Sequence, residues 1–137
     1  MVVVLDANIF VSAVISSQGP SATLLKAARD GVLDVVVSPH LLQEVRDVLH
    51  RPRFRRYLTT SEADEYLEEL ARICRLSPDP EEQAPILRDR SDDYLVYLAT
   101  ESGAEFIVSG DADLTDDKEL SLSAITPREA VDLLDLD

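Results

Sequence analysis

The chain begins Met1-Val-Val-Val-Leu-Asp6-Ala-Asn8, and this stretch gives the strongest indication of its fold. The four apolar residues before Asp6, three of them β-branched, predict a strand buried inside a parallel sheet. In open α/β sheets, ligands bind beyond the carboxyl ends of the strands, and Asp6 stands at that position. An Asp directly after a strand is also a common N-cap of the following helix. Asp6 is therefore either a helix cap or part of a ligand-binding site, depending on which other side chains lie at the same end of the sheet.

Apolar runs alternate with amphipathic helical segments along the rest of the chain. Further strands are predicted at residues 33–37, 105–109 and 120–125, with helices between them. This alternation is typical of a parallel sheet covered by helices on both faces, so we predict a three-layer α/β/α sandwich. The polar, Pro-rich segment 77–85 is a loop rather than a domain boundary, and residues 1–137 are expected to form a single domain.

The composition indicates an aqueous, reducing compartment. The net charge of −14 argues against non-specific binding to a polyanion. The single cysteine, Cys74, excludes an internal disulfide. No segment approaches the roughly 20 apolar residues of a membrane span, and the N-terminus lacks the basic region of a signal peptide. We expect a cytoplasmic protein with no membrane partner.

One basic segment departs from the acidic composition. From Arg46 to Tyr57 the chain has five arginines and one aspartate, a local charge of +4. Arginine suits phosphate because its planar guanidinium forms paired hydrogen bonds. The candidate RNA-binding residues are Arg51, Arg53, Arg55 and Arg56. The alternatives are a solvated face or a patch that docks the acidic tail of a partner protein.

Two acids lie on or beside the apolar faces of predicted helices. Helical spacing places Glu44 at the margin of an apolar face, where a boundary side chain that reaches solvent is the alternative interpretation. Asp92 points into an apolar stripe, whereas Asp93 is turned about 100° away. A carboxylate in a core position is costly unless it caps a helix or coordinates something. We therefore choose Asp92 as the functional acid and assign Asp93 to the helix dipole.

Asp111 follows the strand at 105–109 just as Asp6 follows the first strand, so both are expected at one edge of the sheet. Asp113 is more simply a turn or cap residue. Carboxylates 4 Å apart repel by about 4 kcal/mol per pair at an effective dielectric of 20, and Mg²⁺ or Mn²⁺ relieves this. The four candidate catalytic acids and metal ligands are Asp6, Glu44, Asp92 and Asp111. Two ions about 3.5–4 Å apart would support hydrolysis of a phosphodiester by a metal-activated water.

Four short segments, at residues 4–12, 37–45, 89–99 and 103–114, carry these acids in order. Together they resemble the PIN domains, metal-dependent ribonucleases that include the VapC-type toxins of toxin–antitoxin pairs. The segment Arg51-Pro52-Arg53-Phe54 is similar to one branch of that family, made of toxin components. The chain departs from the family at residues 89–91, where an Asp-Pro pair is common and Asp-Arg-Ser stands instead.

The resemblance implies a fold, an activity and partners. The family's four acids fall on Asp6, Glu44, Asp92 and Asp111. Polar contacts around the metal or its water are expected from Asn8 and Ser109, with Asp113 nearby. The implied substrate is RNA, single-stranded or structured, cut with Mg²⁺ or Mn²⁺, one or two ions. A homodimer and a cognate antitoxin are the implied protein partners.

Two other classes of function remain as alternatives. The first is a binding module that keeps the PIN fold but has little catalytic activity, against which the four retained acids speak. The second is a phosphotransfer domain. A phosphatase of the aspartyl-nucleophile type needs a second acid where this chain has Asn8, and a receiver domain needs a Lys after a late strand, whereas Lys118 precedes one.

Overall fold

A parallel β-sheet forms the centre of the computed structural model, which describes residues 1–80, 93–111, 115 and 123–136. Within these residues the sheet has five strands in the order β3-β2-β1-β4-β5, and all pairs are parallel. The strands are β1 (Val2–Leu5), β2 (Asp34–Val37), β3 (Arg75–Leu76), β4 (Phe106–Val108) and β5 (Ser123–Ile125). The predicted parallel sheet is confirmed.

The strand β1 lies in the middle of this sheet. Val4 pairs with Val36 of β2 on one side and with Ile107 of β4 on the other, and all three are fully buried. A strand covered on both faces needs a continuous apolar run, which is what the sequence supplies. Asp6 follows directly and its backbone N–H donates to the Val108 carbonyl at 2.9 Å. The sheet register therefore fixes where the chain leaves β1.

Six α-helices are found in the described part of the chain. They are α1 (Ala7–Ile15), α2 (Pro20–Arg29), α3 (Pro39–Leu49), α4 (Thr60–Ile73), α5 (Asp93–Ser102) and α6 (Pro127–Leu133). The α3 helix begins at a capping serine, Ser38, whose side chain accepts from the Leu41 N–H, with Pro39 in the first turn. The α6 helix begins with a capping box between Thr126 and Glu129. The predicted α/β sandwich is confirmed.

Two strands differ from the sequence prediction. The predicted strand at 120–125 is present as Ser123–Ile125, and residues 120–122 lie outside the described part. The β3 strand was not predicted, because Arg75 and Leu76 are both exposed and form no apolar pattern. Its backbone nevertheless pairs with the end of β2 and completes one edge of the sheet. None of the described helices has the length and hydropathy needed to cross a bilayer.

Candidate active site

The carboxyl ends of β1 and β4 hold three polar residues that we call the strand half of the site: Asp6, Ser109 and Asp111. Ser109 is fully buried, and its hydroxyl donates to Asp6 Oδ2 at 2.8 Å. The same hydroxyl accepts a hydrogen bond from the backbone N–H of Asp111 at 3.0 Å. Ser109 thus connects the loop of one predicted acid to the side chain of the other.

Asp6 serves as a helix cap and as a member of this half at the same time. Its Oδ1 accepts from the backbone N–H of Asn8 at 3.4 Å, which caps the first turn of α1. Its Oδ2 is the atom that Ser109 contacts. The sequence offered capping and a site as alternatives, and the structure shows that the two carboxylate oxygens divide the contacts between them. The backbone N–H of Asn8 makes this capping contact, and the contact of Asn8 with a metal or its water stays a prediction.

Among the described residues, no positive charge lies within ion-pair distance of the Asp6 carboxylate. The residue is 8% exposed, and among the described residues it forms no ion pair with Lys, Arg or His. Burying a carboxylate with neutral donors alone is costly, because hydroxyl and amide groups do not replace its full hydration. A cation at the carboxyl edge of β1 would relieve that cost.

Glu44 and Tyr94 form what we call the helix half of the site, with His40 beside them. The Tyr94 hydroxyl donates to Glu44 Oε2 at 2.6 Å, a short charge-assisted hydrogen bond between α5 and α3. The His40 ring meets the Tyr94 ring edge-on, with centroids 4.7 Å apart. Asp79 Oδ1 accepts from the His40 backbone N–H at 2.9 Å. Glu44 is half-buried, in agreement with its predicted place at the margin of the apolar face of α3.

Sequence reasoning missed Tyr94. The available signal was a tyrosine in the first turn of the helix that follows Asp92. Tyr97, one turn further along, gives a similar signal, so the pattern alone did not choose between them. The Tyr94–Glu44 contact depends on how α5 packs beside α3, which local sequence does not specify.

The remaining predicted acids fall outside the description. Asp92 and Asp113 lie outside the described residues, and α5 begins at the next residue after Asp92. Among the described residues, no three His, Cys, Asp or Glu side chains lie close enough to hold a metal ion together. The described hydrogen bonds therefore connect Asp6 with the Asp111 loop and Glu44 with α5.

The predicted RNA-binding arginines divide into two groups. Arg51, Arg53 and Arg56 are exposed. Arg55 is half-buried, and its Nη2 donates to the carbonyl of Leu49, the last residue of α3. Its Nε and Nη1 are buried, with no hydrogen-bond acceptor among the described residues. Arg55 thus binds the carboxyl end of α3, where a positive charge is favourable, and its guanidinium is less accessible to solvent than those of the other three arginines.

Comparison with known proteins identifies the fold family. Residues 2–113 match the family model described as PIN domain. The chain is 28% identical over 141 residues to the protein MJ1680 of Methanocaldococcus jannaschii, covering 95% of this chain and 89% of that protein.

Two solved structures have similar folds. VapBC2 from Rickettsia felis, bound to a DNA fragment from the VapBC2 promoter, aligns with a TM-score of 0.62 at 14% identity, covering 92% of this chain and 98% of that chain. PAE2754 from Pyrobaculum aerophilum aligns with a TM-score of 0.61 at 16% identity, covering 98% of this chain and 88% of the other. At such identities the likeness shows the fold. With the family match over residues 2–113, it follows that this chain belongs to the PIN domain family.

Proposed function

We propose that this PIN domain is a metal-dependent endoribonuclease that hydrolyses single-stranded RNA by attack of an activated water. One observation carries the proposal. Asp6 is a buried carboxylate at the carboxyl end of the central strand, hydrogen-bonded by neutral donors and connected through Ser109 to the loop of Asp111. Open α/β sheets bind their ligands at this edge.

The donor set fits a hard divalent cation. We assign the metal to the carboxylates of Asp6, Glu44, Asp92 and Asp111, and the role of Asp92 rests on its position just before α5. All four supply oxygen, which Mg²⁺ and Mn²⁺ prefer. Burial raises the pKa of the Cys74 thiol to about 12, so this residue does not offer a thiolate. A bound metal would activate water and neutralise charge on the phosphate.

The chain's own residues orient these carboxylates. Ser109 restricts the rotation of the Asp6 carboxylate, and Tyr94 does the same for Glu44. Each contacted oxygen accepts one described hydrogen bond and has a second lone pair, which is available to a cation. Such partners typically change metal affinity by about 10–100-fold.

The cheapest test is cleavage of a fluorogenic single-stranded RNA with Mn²⁺, with EDTA, and with the variant Asp6→Asn. We expect cleavage with Mn²⁺, none with EDTA, and a loss of at least about 100-fold in Asp6→Asn, because the variant removes a ligand charge. Mn²⁺ should also raise the Tm of the native chain and not that of the variant.

Asp34→Asn is the matched control. Asp34 is an exposed acid that begins β2, so it lies at the amino ends of the strands, whereas Asp6 lies at their carboxyl ends. The Asp34→Asn variant should cleave RNA like the native chain. If Asp6→Asn cleaves as well as the native chain, the activity comes from a contaminant or the site lies elsewhere.

The proposed biological role is that of a toxin paired with a cognate antitoxin in the cytoplasm. The supporting observation is the fold likeness to VapBC2 from Rickettsia felis. The nuclease should lose activity when co-purified with the product of the adjacent reading frame. Activity unchanged by that protein would favour a PIN nuclease outside toxin–antitoxin pairs.

We also propose that the chain forms a homodimer, which a measurement of its molar mass in solution would test. A catalytically weak binding module would be indicated by RNA binding without Mn²⁺-dependent cleavage.

A further inference from the structure

A rigid basic segment, residues 51–57 (Arg-Pro-Arg-Phe-Arg-Arg-Tyr), joins α3 to α4. It starts with a 3-10 turn at Pro52–Phe54, and the backbone N–H groups of Tyr57 and Leu58 both donate to the Phe54 carbonyl. Phe54 and Leu58 are buried in the hydrophobic core. Because these anchors and the turn fix the backbone, the segment presents its remaining side chains in a defined arrangement.

Arg55 adds a third anchor. Its guanidinium is directed inward, with two nitrogens buried and the third bound to the Leu49 carbonyl. The basic segment is therefore fastened to the end of α3, the helix that carries Glu44. The inward position of Arg55 distinguishes it from Arg51, Arg53 and Arg56, which are exposed.

Two of the exposed arginines stack on aromatic rings of the same segment. The guanidinium carbon of Arg53 lies 4.9 Å from the Phe54 ring centroid, and that of Arg56 lies 5.3 Å from the Tyr57 centroid. Stacking occupies the flat face of a guanidinium and leaves its N–H donors at the edge available. The two side chains are held in place without using the groups that bind phosphate.

The charge of the segment is not neutralised locally. Among the described residues, none of the exposed arginines of the segment forms an ion pair, although the chain has 27 acidic residues. Of the other described lysines and arginines, three pair with acids: Lys26, Arg29 and Arg46. Tyr57 adds a ring that is 52% exposed, and exposed aromatic rings beside arginines are the usual platform for stacking unpaired bases.

The segment also follows the helix that carries Glu44. Glu44 is five residues before Leu49, the last residue of α3, which corresponds to about 7.5 Å along the helix axis, and the segment begins two residues after Leu49. A single strand of a few nucleotides spans that distance. An acidic nuclease needs a local source of positive charge, because phosphate contacts dominate affinity for nucleic acid.

We propose that Arg51, Arg53, Arg56 and Tyr57 form the RNA-docking surface of this domain. The arginine edges hold phosphates, and the face of the Tyr57 ring that Arg56 does not cover stacks on a base of single-stranded RNA that continues toward Glu44. The surface is defined by its own geometry, and its relation to a cut in the RNA rests on the proposed function.

The test compares two double variants of the full chain in EDTA, with a short fluorescein-labelled single-stranded RNA as the probe in fluorescence anisotropy. Arg53→Gln/Arg56→Gln removes two charges from the surface. Arg72→Gln/Arg128→Gln removes two exposed arginines elsewhere and is the matched control. The surface variant should bind about ten-fold more weakly near physiological salt. Its slope of log affinity against log salt should fall by about 1.4, since a single strand gives about 0.7 per phosphate contact.

Tyr57 separates stacking from charge. Tyr57→Ala should weaken binding by about five-fold or more and lower the salt slope less than Arg53→Gln/Arg56→Gln does, because it keeps both arginine charges, and Tyr57→Phe should restore the affinity because it keeps a ring. Thermal unfolding of each variant verifies that the segment remains folded. A loss that Tyr57→Phe does not restore would contradict stacking.

Each outcome decides between proposals. Equal losses in both double variants, or no RNA binding by the native chain even at about 50 mM salt, would overturn the docking surface. Native RNA affinity in Arg53→Gln/Arg56→Gln would overturn it too, and lost affinity of that variant for an acidic peptide would then identify a protein-docking patch. If binding falls as expected but no Mn²⁺-dependent cleavage is found, the nuclease proposal fails and the docking surface stands.

Discussion

The two halves of the candidate site are built differently. In the strand half, the backbone register between β1 and β4 sets the positions of Asp6 and Ser109, and both side chains are buried. In the helix half, Glu44 and Tyr94 are half-buried and meet through side chains from two helices. Strand register tolerates little displacement, whereas a contact between long side chains on packed helices can adjust. The strand half should therefore couple stability to metal binding more strongly than the helix half.

The helix half has supports of its own at the far end of α3. Arg55 binds the Leu49 carbonyl. Asp64 Oδ1 of α4 lies 2.8 Å from His50 Nε2 and 3.5 Å from Arg46 Nε. These contacts fasten α3 to its neighbours at or near the surface. They are individually weak compared with the buried contacts of the sheet.

Among the substitutions that compare the two halves, removal of the buried Ser109 hydroxyl should have the largest effect on stability and metal binding. Ser109→Ala leaves Asp6 Oδ2 and the Asp111 N–H without their described partner, which should cost about 1–3 kcal/mol of unfolding free energy. Mn²⁺ affinity should fall by about 10–100-fold. Urea unfolding and calorimetric titration with Mn²⁺ measure the two quantities.

Ser38→Ala is the control for Ser109→Ala, because Ser38 is also fully buried but caps α3 instead of contacting Asp6. The Ser38→Ala variant should lose about 1 kcal/mol of unfolding free energy and bind Mn²⁺ with the native affinity. Ser109→Thr retains a hydroxyl and should restore metal binding. Native metal affinity in Ser109→Ala would show that the strand half does not depend on this bridge.

A smaller effect is expected from the helix half. Tyr94→Phe removes the donor to Glu44 and should lower Mn²⁺ affinity by about five-fold, the equivalent of one hydrogen bond of about 1 kcal/mol. Its stability in EDTA should change little, because water can solvate a half-buried carboxylate. Tyr97→Phe, on the same helix, is the matched control. A large stability loss in Tyr94→Phe would mean that the two halves are equally rigid.

The smallest effect concerns the support of α3 by Asp64. The hydrogen bond with His50 lowers the pKa of the exposed Asp64 carboxyl below its ordinary 3.8, with a further contribution from the charge of Arg46. The ionised form is therefore favoured by folding. This stabilisation is present above pH 3.8 and is lost as the pH falls through the lowered pKa.

Asp64→Asn should accordingly lower the Tm slightly at pH 7, and the difference from the native chain should disappear in acid below the lowered pKa. Thermal unfolding across pH measures it. Glu65→Gln, a neighbouring exposed acid, serves as the control and should leave the difference near zero throughout. A Tm difference that persists unchanged at low pH would assign the effect to something other than the charge of Asp64.

The strand half was more accessible to sequence reasoning than the helix half. Apolar runs that end in Asp6 and Asp111 locate both acids at one sheet edge, because parallel strands share their direction. Glu44 was placed at a core margin by helical spacing. Tyr94 was missed because its contact depends on the packing of one helix beside another.

Other features depended on tertiary context alone. The basic segment has an irregular backbone, in which buried positions do not recur at a fixed spacing. The sequence therefore could not predict that Arg55 is directed inward while its neighbouring arginines are exposed. The edge strand β3 carries no apolar signal and forms because α4 delivers its backbone beside β2. The catalytic and metal-binding roles of all the candidate site residues, the single domain and the homodimer remain predictions.

The hydrogen bond between Ser109 and Asp6 joins residues 103 positions apart in the chain. Such a contact closes a very long loop of the chain and needs both strand ends to be present. During synthesis, Asp6 is made early and cannot receive its partner until Ser109 has left the ribosome. The strand half is therefore assembled only after Ser109 has been made, so that a nascent chain that ends before Ser109 does not yet possess it.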